Sequence, residues 1–299
     1  MRKLLTLVLF VLLLLPTPAQ AAAPVNLDAQ GLVGGYSVDI SAVGGTVSSS
    51  GTIADAPQVV EVYTATWCEN CVPAEEALLE SLEGEDVMIL AMHRSIGEIE
   101  DPLGSDEGDQ RWIDLYGAAS KEAVGIERAP PTMVFDGARL KAGSTPEGDS
   151  LLADYEALFA DVDTSKSRSD WTSSLSWTGN NSSGELTWDF TSSGADDLAW
   201  THRLMVVEAS AYFPEGSNDL EHYDHAVRTM YTLDVAQKTV ALNLPAAWDG
   251  DDLSLVLIHE WESAPIIVDP EPEDEGLLPG FLAPLGLIAL GAAAMVRKD

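Results

Sequence analysis

The sequence predicts two folded parts in series, an α/β domain followed by an all-β sandwich, flanked by an apolar segment at each end. Three observations lead there. Between residues 56 and 163, short apolar runs alternate with amphipathic stretches, as strand and helix do in α/β domains. Between residues 166 and 263, strand-like runs follow one another with only turn-forming residues between them. Outside both parts, Leu4–Leu15 and Leu277–Val296 are apolar and uncharged.

The N-terminal segment, residues 1–21, reads as a signal peptide. Arg2-Lys3 is its basic start, Leu4–Leu15 its apolar stretch and Ala19-Gln20-Ala21 a small-residue cleavage site, so the mature chain is expected to begin near Ala22. At the other end, residues 264–276 form an acidic, Pro-rich spacer (Asp269-Pro270-Glu271-Pro272-Glu273-Asp274-Glu275). Residues 277–296 follow as a transmembrane or sorting segment; as a helix they would span roughly 30 Å. Arg297-Lys298 then places the C-terminus in the cytoplasm and the body outside. Leu278-Pro279-Gly280-Phe281, the apolar stretch and the basic end resemble the PGF-CTERM sorting signal of archaeal surface proteins. That resemblance implies removal of the tail and a lipid anchor in its place. Either way the expected location is extracytoplasmic, anchored to the cell membrane.

Residues 22–55 are rich in Gly, Ser, Ala and Val and read as a linker or irregular region, or as loosely packed strands, with no chemistry assigned. Within residues 56–163, Gln58–Thr64 reads as a buried strand and Pro73–Glu83 as a helix. On that helix Ala74, Ala77, Leu78 and Leu82 share one stripe, and Glu75, Glu76, Glu80 and Glu83 face water. Val87–Met92 is a second buried strand, followed by an acidic loop, Ile96–Gly108, and a helix over Asp109–Tyr116. Thr132–Phe135 and Ala138–Lys141 flank Asp136-Gly137, a hairpin signal, and Pro146–Asp161 closes the unit as an amphipathic helix.

Six strands are expected within residues 166–263: Trp171–Trp177, Gly184–Thr191, His202–Phe213, Ala226–Val235, Lys238–Leu244 and Leu253–Trp261. With no helices between them they predict an antiparallel, immunoglobulin-like sandwich, with Trp171, Trp177 and Trp188 in its core. The overlapping sequons Asn180-Asn181-Ser182 and Asn181-Ser182-Ser183 fall on a hairpin turn and mark Asn180 and Asn181 as glycosylation candidates.

The chain has 15 basic and 49 acidic residues, a net charge of −34. Such a surface excludes nucleic acid as a partner, because phosphates need Lys and Arg. It suits salty surroundings, where counter-ions screen self-repulsion.

The two cysteines of the chain stand in Cys68-Glu69-Asn70-Cys71, directly after the strand-like run that ends at Trp67. They can bridge to each other or to a partner protein, which points to redox exchange. Trp67-Cys68-x-x-Cys71 resembles the W-C-x-x-C of the thioredoxin superfamily. Ala129-Pro130-Pro131-Thr132-Met133-Val134-Phe135 resembles that superfamily's second hallmark, a cis-proline followed by Thr and a buried strand. More narrowly, Leu204–Glu208 and His225-Ala226-Val227-Arg228 resemble stretches of exported thioredoxin-like proteins fused to a C-terminal β-sandwich. The resemblance implies an α/β thioredoxin-like domain and a membrane-tethered thiol–disulfide oxidoreductase acting on exported thiol or disulfide proteins, with a membrane redox partner. It also implies Cys68 as the attacking sulfur, capping a helix, Cys71 as the resolving one, and Trp67, Pro131 and Thr132 at the substrate. No cofactor or metal is implied.

Three departures bear on the chemistry. The family's buried acid six positions before the first cysteine is Val62 here, which leaves proton transfer to water or another group such as Glu61. Glu69 beside Cys68 disfavours a thiolate. Pro130 has no N–H to offer a substrate. The alternative, from another class, is a non-catalytic surface binding or adhesion protein with a structural Cys68–Cys71 disulfide. A zinc site would need histidines to complete it; His222-Tyr223-Asp224-His225 reads instead as a packed turn, and the acidic stretch Glu98–Asp109 as a solvated loop without EF-hand spacing.

Overall fold

A computed structural model describes residues 21–41, 44–97, 101–161, 170–195 and 197–263. The described residues belong to one compact unit. The first half contains β1 (Val25–Asn26), β2 (Gln30–Asp39), β3 (Thr46–Thr52), β4 (Gln58–Thr64), α1 (Cys71–Ser81), β5 (Val87–His93), α2 (Asp106–Trp112) and α3 (Ala118–Val124). A π-helical turn, Ile113–Gly117, joins α2 to α3. Then come β6 (Thr132–Phe135), β7 (Arg139–Ala142), α4 (Leu151–Asp161), β8 (Thr172–Gly179), β9 (Ser183–Thr191), β10 (Leu198–Tyr212), β11 (His222–Leu233), β12 (Thr239–Asn243) and β13 (Leu253–Ser263).

Nine strands form one mixed sheet in the order β1-β7-β6-β4-β5-β11-β10-β13-β2, and β12-β9-β8-β3 form a second. In the large sheet β4 and β5 are parallel, whereas β4–β6 and β6–β7 are antiparallel. The half of the sheet built on β4 and β5 meets the half built on β10 and β11 at one parallel residue pair, Ala91 on β5 with Ala226 on β11.

Three cores hold these layers. Val60, Val62, Met133 and Phe135 meet Ala74, Leu78, Tyr155 and Leu158 of α1 and α4. On the opposite face Tyr63, Leu90 and Val134 pack with Trp112, Tyr116 and Ala119. Between the two sheets lie Trp177, Trp188, Leu186, Leu204, Val206, Leu255 and Leu257. Strand β10 shows how one sheet serves two of them: Leu204 and Val206 join the inter-sheet core, while Met205 and Val207 join the cluster around Trp112. A strand covered on both faces reads as a continuous apolar run, and each such side chain contributes about 1.5–3 kcal/mol of transfer free energy.

The fold class expected from sequence is overturned. Among the described residues 44% are strand and 19% helix. An α/β thioredoxin-like domain with a separate immunoglobulin-like sandwich would keep its sheets apart, yet here one sheet runs through residues of both segments. The cause lies partly in residues 22–55, read as a linker or as loosely packed strands, which carry three strands. Of these, β2 pairs with β13 along its length and also covers the first part's core through Leu32. Its glycines serve packing. The ring of Trp261 lies where a Cβ on Gly31 would stand, 2.6 Å away. Gly35, at φ 84°, occupies the bulge between Gly34↔Ile258 and Tyr36↔Leu257. No helix among the described residues is long and apolar enough to cross a membrane. Residues 1–20 of the expected signal peptide, the expected spacer 264–276 and the expected transmembrane or sorting segment 277–296 lie outside the described residues.

Candidate functional site

Strand β4 ends at Thr64 and the chain turns twice before α1. The Cys68 N–H donates to the Ala65 carbonyl at 3.0 Å, and the Cys71 N–H to the Cys68 carbonyl at 3.1 Å. These turns bring Cys68 and Cys71 together as a disulfide, S–S 2.06 Å. Cys68 exposes 5% of its surface and Cys71 1%, so both cysteines are buried and Cys68 is the less covered of the two. Both pack with Ala65 and Trp67, and Glu69 and Asn70 stand exposed beside them. The Arg94 guanidinium lies 5.6 Å from the centre of the Trp67 ring.

Helix α1 begins at Cys71 with Asn70 as its N-cap, so the cap position lies two residues beyond Cys68. Cys71 donates its N–H to the Cys68 carbonyl and Pro73 has none. The first turn therefore offers a Cys68 thiolate fewer donors than an ordinary helix start.

Pro131 is preceded by a cis peptide bond. Thr132 pairs with Tyr63 in the β4–β6 ladder, which puts Pro131 at the end of β4 that leads into the cysteines. The Pro131 carbonyl accepts the Gly143 N–H at 2.7 Å. Thr132 is fully buried and its hydroxyl donates to the Ala129 carbonyl at 2.6 Å, so its hydroxyl serves the loop from within.

The strand end is held from two directions. Asp101 Oδ2 accepts the Thr66 N–H at 2.8 Å and lies 3.2 Å from His93 Nδ1. The Thr66 carbonyl accepts the Ser217 N–H at 2.9 Å and the Tyr223 hydroxyl at 3.3 Å. The connection between β10 and β11 thus closes over the residue preceding Trp67. One turn along α1 from Cys71, Glu75 accepts a hydrogen bond from the Thr64 hydroxyl at 2.5 Å. Burial pushes the Glu75 carboxyl up from its ordinary pKa, against the opposing effects of Thr64 and His93. Sequence reasoning assigned Glu75 to the solvated stripe; its spacing of four from Cys71 was the available signal.

Glu61, the other proton-transfer candidate, is committed elsewhere. Its carboxylate accepts from Arg111 Nη1 at 2.5 Å and from the Tyr116 hydroxyl, and Arg111 Nε reaches Glu260 at 2.6 Å. At the end of the acidic stretch Asp106 and Glu107 stay exposed, while Asp109, already on α2, turns inward. Asp109 is fully buried and accepts from Tyr63 (2.5 Å), from the Ser95 and Ile96 N–H groups, and from Arg128. Residues 98–100 lie outside the described residues.

Asn180 is exposed in the β8–β9 turn, where its Oδ1 accepts from the N–H and hydroxyl of Ser182; Asn181 is half-buried. His222-Tyr223-Asp224-His225 opens β11 and is not a loop. Among the described residues Glu208, Asp249 and Asp252 bring three carboxylates within 4.8 Å. Their oxygens accept the N–H groups of Trp248, Asp249, Tyr212 and Ser210, so the cluster ties β10 to the turn before β13.

No family model matches the chain, and no curated protein matches it. Among solved structures it is similar to HBP35 of Porphyromonas gingivalis, at 18% identity and TM-score 0.42, over 69% of this chain and 64% of that one. The matched part is thus under two thirds of the HBP35 chain. It is also similar to an Agrobacterium tumefaciens structural-genomics protein, at 18% identity and TM-score 0.40, over 70% of this chain and 95% of the other. Likenesses this distant carry no argument about fold or function.

Proposed function

We propose that the protein is an extracytoplasmic thiol–disulfide oxidoreductase that acts on exported proteins and is held at the membrane by its C-terminal tail. The observation that carries this reading is the strand–turn–helix at Trp67–Cys71. There a disulfide whose two cysteines are both buried, Cys68 less deeply than Cys71, stands at the strand end that also borders cis-Pro131. A substrate thiolate attacks Cys68 Sγ, the Cys68–Cys71 bond breaks and Cys71 leaves as a thiol after taking up a proton. A second substrate thiol then displaces Cys68, so that the substrate is oxidised by two electrons and the protein reduced. The similarity of the W-C-x-x-C and Pro131-Thr132 motifs to thioredoxin-like sites supports the same reading, as do the signal-like N-terminus and the acidic surface.

The low exposure of Cys68 favours a second reading, a surface binding protein in which the bridge is structural. The variant Cys71→Ala separates the two. An oxidoreductase accumulates mixed disulfides through Cys68 with exported proteins, and these vanish in the Cys68→Ala/Cys71→Ala double variant. An inert bridge gives a Cys68 thiol that neither forms adducts nor reacts with a small disulfide.

A further inference from the structure

Breaking the Cys68–Cys71 bond leaves negative charge on the sulfur of Cys71, a residue that is 1% exposed. Such a thiolate needs a proton from close by, because burial penalises the charged form. Val62 faces the α1–α4 core, and Glu61 is tied to Arg111 and Tyr116. Glu75 is the carboxyl that α1 itself supplies on the turn after Cys71, and positions four apart on a helix have Cβ atoms about 5–6 Å apart.

We propose that Glu75 gives the proton to Cys71 as the disulfide opens and takes it back as the disulfide re-forms. The inference rests on the oxidoreductase reading above. In the opening step a partner thiolate forms a bond to Cys68 Sγ, the S–S electron pair goes to Cys71 Sγ, and the proton moves from the Glu75 carboxyl to that sulfur. In the closing step the Glu75 carboxylate removes the proton, Cys71 Sγ attacks Cys68 Sγ, and the partner leaves as a thiolate. Electrons and protons balance with a dithiol as reductant and a protein disulfide as oxidant.

Glu75 is held at 2.5 Å by Thr64, the last residue of β4, and both line a cavity of about 200 Å³ that gives the carboxyl a route to solvent; Cys71 lies outside that lining, one helical turn before Glu75. The other ionisable groups around that cavity are Glu76 on α1, His93 on β5, and His222, Tyr223, Asp224 and His225 on β11. His93 draws the carboxyl towards its ionised form and Asp224 opposes it, while burial favours the protonated acid needed in the opening step. Because β11 walls the cavity, the C-terminal half takes part in the site and does not merely stand beside it.

The test follows the reduction of the full-length, oxidised protein by dithiothreitol across pH, with each rate divided by the fraction of reagent present as thiolate. In the unsubstituted protein the corrected rate should fall as pH rises through the Glu75 ionisation. Glu75→Gln should be at least about tenfold slower at low pH and show no such fall. Glu75→Asp should recover part of the rate. Thr64→Val removes a hydrogen bond that favours the carboxylate, and should move the fall to higher pH. Matching thermal unfolding curves establish that the variants are folded. A Glu75→Gln profile superimposable on that of the unsubstituted protein overturns this inference alone. An unsubstituted disulfide that resists the reagent throughout overturns the oxidoreductase reading as well.

Discussion

The Thr66 carbonyl, two residues before Cys68, accepts the backbone N–H of Ser217, which lies 151 positions further along the chain, at 2.9 Å. Tyr223 reinforces the contact: its hydroxyl donates to Asn218 Oδ1 at 2.7 Å and also approaches Thr66 O. The β10–β11 connection therefore fixes the backbone that presents the disulfide. Replacing Tyr223 with Phe leaves Asn218 and Thr66 without that donor and should cost about 1–2 kcal/mol in urea unfolding. It should also speed alkylation of Cys68 in the reduced protein. Unchanged stability and alkylation would mean the connection only rests on the site.

The buried network around Arg111 should be the most sensitive polar element of the fold. Arg111 bridges Glu61 on β4 and Glu260 on β13, joining strands from the two halves of the large sheet. Arg111→Met leaves two carboxylates with their positive partner gone and should destabilise by about 3–5 kcal/mol. A loss under 1 kcal/mol in denaturant titration would show that Tyr116 and Arg203 suffice for them.

Acid should weaken the sandwich through its histidines. His202 and His259 are cross-strand partners whose Nδ1 atoms are 2.9 Å apart, and His259 Nε2 lies 2.8 Å from the Ser173 hydroxyl. Burial, more than the nearby Lys238, lowers the His202 pKa to about 4, and burial with its neighbour His202 holds His259 well below its ordinary value. Depressed folded-state values mean that the unfolded chain binds more protons below about pH 6.5. Stability is therefore full above that pH and falls between about 6.5 and 4, by about 2–3 kcal/mol for His202. Substituting both histidines with Gln should flatten that slope. An equal slope in the variant would assign the acid loss to carboxylates instead.

Glu69 sits exposed between the cysteines, where its charge opposes a Cys68 thiolate. Glu69→His should stabilise the reduced form and raise the reduction potential by about 30 mV, a tenfold change in the exchange equilibrium. Equilibration with glutathione pairs measures this directly; no shift would remove the electrostatic argument.

Some elements were legible because local pattern and burial agree. Gln58–Thr64 and Thr132–Phe135 fall as expected, each a short apolar run with a proline close before it and with most or all residues buried. The joined architecture was not legible. Gly31, Gly34 and Gly35 resemble linker residues until Trp261 and the β13 bulge are seen against them. The single Ala91↔Ala226 pair that links the halves has no sequence signature. Likewise the cysteine pair announces itself, whereas Glu75 looks like any glutamate on a wet helix face until β11 is placed beside it. Asp109 is hidden for the same reason: an acid at the end of an acidic stretch is normally solvated, but here it sits on α2 and Tyr63, Arg128 and two backbone N–H groups enclose it.

The most direct test of the account is the redox poise of the Cys68–Cys71 bond in the purified, full-length protein, measured by equilibration with reduced and oxidised glutathione. A working exchange site should titrate reversibly at a potential above about −300 mV, the region occupied by catalytic and labile disulfides. A bond that stays oxidised until well below that value is a structural brace and contradicts the central claim.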